Sequence, residues 1–295
     1  MTGAPPSGLP DLIVVGDLLA DIVVEAGTLV RGGDVHGTVR IRPAGSGANA
    51  AVWAAAGGAR VRMIGRIGED LIGRLLRDSL ASRDVEAELV VDPAARTGAM
   101  LVVREPGERS MVADRGANAG LSPADLPDVL AAGAVLVSGY LLFHPGSEPA
   151  ALAALERAEA PLIAVEAASW PLLEDYGADR FVSATKWATM LLANEREAEV
   201  LTGATGEQAL DELAGRYEIV VVKQGARGAV AATGGKRFTV VAPTIVEADP
   251  TGAGDAFDGV LLAEIAKGAD LRSALSEACS AGATAAGSLE TWPER

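Results

Sequence analysis

The chain has 295 residues, 49% of them hydrophobic but only 4% aromatic, so a sizeable core is expected, built from Ala, Val, Leu and Ile. A formal net charge of −15 argues against a nucleic-acid partner and against an anionic membrane surface, both of which need basic cover. It leaves a nucleotide substrate open, because helix N-termini and Mg²⁺ supply local positive potential.

The single cysteine, Cys279, leaves no internal disulfide and no CxxC metal site, and His36 and His144 are too few for a His-rich zinc site. Met1–Pro10 lacks the basic and apolar regions of a signal peptide, and no run is apolar enough for long enough to span a bilayer. The expectation is a cytoplasmic enzyme.

Asp11–Gly16 (DLIVVG) is a short apolar run ending in Gly, the pattern of a buried parallel strand. Similar runs recur at Val61–Ile64, Ala134–Val137, Pro161–Val165, Met190–Leu192 and Ile219–Val222. Ala- and Leu-rich segments with helical spacing, such as Ala48–Ala56 and Asp70–Ala81, lie between them. This alternation predicts βαβ units, a mostly parallel sheet and right-handed crossovers. Two segments break the rhythm. Residues 21–42 and 96–114 alternate polar and apolar side chains, as in Thr38-Val39-Arg40-Ile41-Arg42, and predict antiparallel strands with one solvated face.

The chemistry concentrates in Asp249-Pro250-Thr251-Gly252-Ala253-Gly254-Asp255-Ala256-Phe257. Phe257, Val260, Leu261 and Ile265 then recur at helical spacing, and Gly268 supplies a stop, so the Gly-Ala-Gly stretch sits at a helix N-terminus. Free N–H groups and the helix dipole make an anion hole there, suited to a moving phosphoryl group. Asp255 lies in the same turn, where the dipole favours its ionised form, and is placed to take a proton from an attacking hydroxyl. On these residues alone, a Gly-rich turn with an acidic residue at the helix start is the commoner reading.

The stretch DPTGAGDAFDG resembles the second signature of the ribokinase/PfkB carbohydrate kinase family. Ala44–Asp70, AGSGANAAVWAAAGGARVRMIGRIGED, resembles the first. Asn194-Glu195-Arg196-Glu197 before Leu201-Thr202-Gly203 is similar to the family's NxxE motif, and Lys223-Gln224-Gly225-Ala226-Arg227-Gly228 stands in the place of its nucleotide loop. The opening strand followed by Asp21 is a further match, and the ordered set covers nearly the whole chain.

The resemblance implies a single α/β domain over 1–295: a three-layer α/β/α ribokinase-like fold, with 21–42 and 96–114 forming a small β-sheet lid. It implies a transferase that moves phosphate from ATP, with Mg²⁺, to a primary hydroxyl of a sugar or sugar acid. Asp255 matches the catalytic base, and Gly252, Ala253 and Gly254 the anion hole. Asn194 and Glu197 match residues that organise Mg²⁺ through water, and Lys223, Gly225 and Gly228 fall in the ATP loop. Asp21, Gly45, Ser46 and Asn49 match substrate-contact positions. Asp249 and Thr251 match part of a monovalent-cation loop, which would take K⁺, although little chain follows Gly287-Ser288 to complete one. Ala44 and Ser46 stand where ribokinase has Gly and Lys, and Glu166 follows a strand where relatives often have Asp.

A homodimer through the exposed strand edges of the lid is also expected, with Val23, Val39, Ile41, Val102 and Met111 as apolar contacts. Alternatives stay open: a nucleoside kinase of the same fold, which a base-stacking aromatic in the lid would favour, although the lid segments have no Phe, Tyr or Trp, and an inactive sugar-binding regulator. Gly45-Ser46-Gly47-Ala48-Asn49-Ala50 also fits a dinucleotide fingerprint, but the strand before it alternates and Gly252–Asp255 would go unexplained. No Walker A pattern is present.

Overall fold

The computed structural model describes residues 8–105 and 108–294. Residues 1–7 and 295, at the ends of the expected domain, and 106–107, inside the expected 96–114 segment, lie outside the described residues.

The first half runs β1 (Leu12–Val15), β2 (Leu19–Ala26), β3 (Gly37–Ala44), α1 (Ser46–Ala56), β4 (Val61–Gly68), α2 (Leu71–Ala81), β5 (Val85–Asp92), β6 (Gly98–Glu105) and β7 (Glu108–Asp114). It continues through the two-residue β8 (Leu130–Ala131), then β9 (Ala134–Val137), α3 (Glu148–Arg157), the two-residue β10 (Ala158–Glu159), β11 (Leu162–Glu166), α4 (Trp170–Tyr176) and α5 (Ala178–Ala184). The last part comprises β12 (Met190–Asn194), α6 (Glu195–Thr202), α7 (Gly206–Ala214), β13 (Ile219–Lys223), β14 (Ala229–Thr233), β15 (Lys236–Val240), α8 (Ala253–Ala266) and α9 (Leu271–Ala286). Side chains start several helices as their residue types dictate. The Asp70 carboxylate accepts from Gly73 N–H at α2, and the Asp270 carboxylate accepts from Arg272 and Ser273 N–H at α9.

A nine-stranded sheet has the order β15-β14-β13-β12-β11-β9-β1-β4-β5. It is parallel from β13 to β5, and at the other edge β14 runs antiparallel to both of its neighbours, β13 and β15. The run LIVV of β1 is buried on both faces, which explains its lack of alternation. Leu12 and Val14 join the core beneath α1, α2, α8 and α9, while Ile13 and Val15 join the core beneath α3 to α7. That gives three layers of α/β/α class, as the sequence predicts.

Helices α1 and α8 pack side by side. Their contact depends on Gly259, where an added Cβ would lie 2.1 Å from the carbonyl oxygen of Ala50. Small residues thus let the two backbones touch, and the approach places the start of α1 next to the start of α8. A side chain at Gly259 would cost about 1–3 kcal/mol in overpacking.

Strands β3-β2-β6-β7 form a separate four-stranded sheet from the two alternating segments. Strand β2 pairs antiparallel with β3 and parallel with β6. The register decides which side chains share a face. Ile41, Ile22, Leu101 and Val112 form one row across the sheet, with Val39, Val24 and Val103 in the next row of the same face. Val39, Ile41 and Val112 are exposed there. Val23, Val102 and Met111 lie on the opposite face, and Val23 and Val102 are buried. The expected apolar contact set is corrected accordingly: Val23 and Val102 are core residues. A strand changes face at every residue, so position in an alternating segment does not say which parity points outward.

Candidate active site

Parallel strands deliver polar groups to one end of the sheet, the end where α/β folds bind ligands. Ser138 follows β9, Glu166 ends β11, Asn194 ends β12 and Lys223 ends β13. Helix α8 starts above them. Gly252 is its N-cap in the left-handed region at φ 81°, a conformation that Gly adopts without strain, and no side chain caps the helix. Ala253 N–H donates to the Pro250 carbonyl at 3.2 Å, whereas Gly252, Gly254 and Asp255 have no intrahelical acceptor for their N–H groups. The expected donor set of Gly252, Ala253 and Gly254 therefore loses Ala253, because the turn entering the helix uses that N–H.

Asp255 is held from α1, which Gly45 caps. Asn49 Nδ2 donates to its Oδ2 at 2.8 Å, and Ser46 Oγ lies 3.0 Å from its Oδ1. Ser46 Oγ also donates to Glu166 Oε1 at 2.6 Å, and Ser138 Oγ donates to the same oxygen at 2.6 Å. Asn49 Oδ1 accepts from Trp292 Nε1 at 2.9 Å. Burial, then the nearby Glu166 charge, pushes the Asp255 carboxyl up to about 8, against the hydrogen bond from Asn49. This corrects the expectation that the helix dipole keeps Asp255 ionised: removal from water outweighs the dipole, whose contribution is of order 1 kcal/mol.

Next to this cluster is a cavity of about 270 Å³ lined by Lys223, Gly225, Gly228, Gly254, Phe257 and Cys279, among others. It brings the expected nucleotide loop against the start of α8. Lys223 Nζ donates to Asp258 Oδ2 at 2.6 Å and lies 3.4 Å from the position a Cβ would take on Gly254. Burial works against the lysine charge, but Asp258 and Glu197 outweigh it and raise the Lys223 pKa. Asp258 is fully buried, and its Oδ1 has no hydrogen-bond partner. An Asp inside the apolar run Ala256-Phe257-Asp258-Gly259-Val260 was a readable signal of such a site.

Asn194 and Glu197 form a reciprocal cap on α6. Asn194 Oδ1 accepts from Glu197 N–H at 2.9 Å, Glu197 Oε2 accepts from Asn194 N–H at 2.8 Å, and Glu197 Oε1 accepts from Asn194 Nδ2 at 2.7 Å. Among the described residues no group of three or more His, Cys, Asp or Glu could hold a metal ion directly. The pair fits Mg²⁺ that keeps its waters, since each carboxylate oxygen has a second lone pair for a metal-bound water.

Asp249 has different company. Its Oδ1 accepts from Thr251 N–H at 3.1 Å and from Thr251 Oγ1 at 2.7 Å. Its Oδ2 meets the Arg104 guanidinium and lies 3.5 Å from Arg42 Nη2. Arg42 also donates to Asp21 Oδ2 from Nε at 3.2 Å and from Nη2 at 3.1 Å. These residues do not fit a monovalent cation at Asp249 and Thr251, because two guanidinium groups already supply the positive charge and would repel another. Asp21 thus sits in a buried ion network with Asp249, whereas Ser46 and Asn49 meet Asp255 and Gly45 caps their helix.

A family model described as pfkB family carbohydrate kinase matches residues 10–292. The chain belongs to the pfkB family. It is a kinase of that family, of the sugar and nucleoside kinase group. It is 28% identical to "Ribokinase" of Bacillus subtilis, over 90% of this chain and 89% of that one. It is 34% identical to "2-dehydro-3-deoxygluconokinase" of Thermoproteus tenax, over 83% and 79%. Its fold matches the crystal structure of adenosine kinase from Sinorhizobium meliloti with a TM-score of 0.87 at 22% identity, covering 97% and 96%. No helix among the described residues is long and apolar enough to cross a membrane. Within this pfkB chain, sequence reading passed over Arg42, Arg104, Ser138 and Asp258, and it took Glu166 only as a departure from the pattern. Their partners are distant in sequence: Arg42 meets Asp21 across 21 positions, Ser138 meets Glu166 across 28, Asp258 meets Lys223 across 35 and Arg104 meets Asp249 across 145.

Proposed function

We propose that this kinase transfers the γ-phosphate of ATP to a primary hydroxyl of a sugar or sugar-like substrate, with Asp255 as the base. The observation that carries the reading is the position of Asp255. It stands at the open start of α8, held by Asn49 from the first signature, beside a cavity that contains the nucleotide loop. ATP would occupy that cavity, with its terminal phosphate toward the N–H groups of Gly252 and Gly254 and toward Lys223. Asp255 takes the proton from the acceptor hydroxyl as its oxygen bonds to the γ-phosphorus and the bond to ADP breaks. Mg²⁺, when bound, would offset charge on the phosphates, with Asn194 and Glu197 ordering its waters. Asp21 and Asn49 would hydrogen-bond substrate hydroxyls, and the small sheet would act as a lid on one domain, excluding water that competes for the phosphoryl group. K⁺ plays no part in this reading.

A nucleoside substrate is the second reading, favoured by Tyr140. This ring, absent from the small sheet, stands near enough to Asp255, Glu166 and Asp17 that their charges, after burial itself, raise its phenol pKa. It supplies the aromatic surface that the lid strands lack. We also place the enzyme in the cytoplasm, and as a homodimer through the exposed apolar face of the small sheet.

The test is a kinase screen with ATP, Mg²⁺ and a panel of sugars, sugar acids and nucleosides. A sugar or sugar acid phosphorylated best supports the first reading. A nucleoside phosphorylated best replaces it with the second.

A further inference from the structure

We propose that Ser46 and Glu166 form a proton relay behind Asp255, so that the proton taken from the acceptor hydroxyl passes through Ser46 to Glu166. The inference rests on Asp255 acting as the base and extends it by two positioning residues that act through it.

Three oxygens make a chain of two close contacts. Asp255 Oδ1 is 3.0 Å from Ser46 Oγ, which is 2.6 Å from Glu166 Oε1. A hydroxyl has one proton to give and two lone pairs to receive. When Ser46 donates to Glu166, its lone pair meets Asp255 Oδ1, and that contact is favourable if Asp255 carries a proton. When Ser46 donates to Asp255, the favourable state has the proton on Glu166. The chain therefore has two hydrogen-bonded arrangements that differ only in which carboxyl holds one proton. Ser138 Oγ, 2.6 Å from Glu166 Oε1, fixes the far end. Glu166 and Asp255 Oδ2 are held in place independently, the first at the end of β11 and the second by Asn49.

The atoms balance. The acceptor O–H bond breaks as its oxygen bonds to phosphorus, and its proton forms an O–H bond on Asp255. The electron pair of the broken phosphorus–oxygen bond leaves with ADP. Asp255 then gives its proton to Ser46 Oγ as Ser46 gives its own to Glu166. Asp255 is ionised again while Glu166 is neutral, and Glu166 loses the proton to water when the site opens. The benefit is physical: the relay returns the buried Asp255 to its ionised form before the site opens, while Glu166 holds the proton until then.

The groups facing Asp255 are Glu166 on β11, Lys223 on β13, Asp258 on α8, and Ser46 and Asn49 on α1, with Tyr140 and Asp17 nearby. Lys223 is paired with Asp258, so Glu166 is the carboxylate that Asp255 meets through a single hydroxyl.

The experiment follows kcat and kcat/KM between about pH 5 and pH 10 for wild type, E166Q, S46A, S46T and D255N, with ATP, Mg²⁺ and the best acceptor among D-ribose, D-fructose, 2-dehydro-3-deoxygluconate and adenosine. E166Q should move the acid limb of kcat/KM to lower pH, since a negative charge beside Asp255 is gone, and lower kcat about tenfold. S46A should lose about tenfold in kcat with little change in the KM for ATP, and S46T, which keeps the hydroxyl, should restore it. In parallel, the carboxyl carbons of aspartate-labelled resting protein are titrated by NMR, with D255N assigning the Asp255 signal. Its midpoint should fall in E166Q, a readout that needs no acceptor. An unmoved Asp255 midpoint in folded E166Q, or an S46A enzyme with wild-type kcat, overturns the relay while leaving the kinase reading intact. Activity retained by D255N overturns the base assignment itself.

Discussion

Asn49 Nδ2 lies 2.8 Å from Asp255 Oδ2, so a residue of the first signature holds the carboxylate of the second. The same Asn49 accepts from Trp292 through Oδ1. Both ends of its amide are engaged, which fixes the orientation that presents Asp255. Asn49→Ala should lower kcat about tenfold and move the acid limb of the pH profile upward, because a hydrogen bond that favours the ionised Asp255 is lost. A rate–pH profile measures both, and an unchanged limb would refute the coupling.

Asp255→Asn should lower kcat by about 10²–10⁴-fold, the usual worth of a general base. It should also raise the melting temperature. The Asp255 pKa is raised by burial, so between the ordinary Asp range near about 4 and the value of about 8 the folded state binds more protons than the unfolded one. Stability of the wild type therefore falls as pH rises through that window, and the gain from Asn should be larger at about pH 8 than at about pH 5. Calorimetry at both pH values decides it.

Asp21→Ala should raise the KM for the acceptor about tenfold and leave the KM for ATP nearly unchanged. The Arg42 ion pair adds a second consequence. Removing one partner of a buried pair costs about 3–5 kcal/mol, and Asp249, 3.5 Å from Arg42, should keep the loss near the lower end. Denaturant melts and both KM values from one variant separate substrate contact from scaffold.

Potassium should be dispensable. Activity and melting temperature should be the same in KCl and in choline chloride at equal ionic strength, since Arg42 and Arg104 already face Asp249. A several-fold activation by K⁺ alone would show that the guanidinium groups move aside.

The protein should be dimeric at micromolar concentration by light scattering. Ile41, exposed in the row with Ile22, Leu101 and Val112, is the residue to change. Ile41→Arg should give a monomer, because a charge buried in an apolar contact is not compensated. A wild-type monomer ends the idea.

By itself the sequence determined the βαβ rhythm, the helix starts at Asp70 and Asn194, and the Gly-rich start of α8. These are local: apolar period, capping residues and a glycine at positive φ are set by neighbours along the chain. It also named Asp255, Asn49, Ser46, Lys223 and Glu197, because they lie inside recognisable motifs. Tertiary structure alone decided who meets whom. That Lys223 faces Asp258, that Ser46 stands between Glu166 and Asp255, and that Arg42 joins Asp21 to Asp249 depend on strand order and on the close approach of α1 and α8. It also decided that Val23 and Val102 point inward while Val39 and Ile41 point out, since parity in a strand has no meaning until one face finds a core. The ionisation of Asp255 was misjudged from the sequence for the same reason. The helix dipole is local and readable, whereas burial and the Glu166 charge come from elements that only folding brings together.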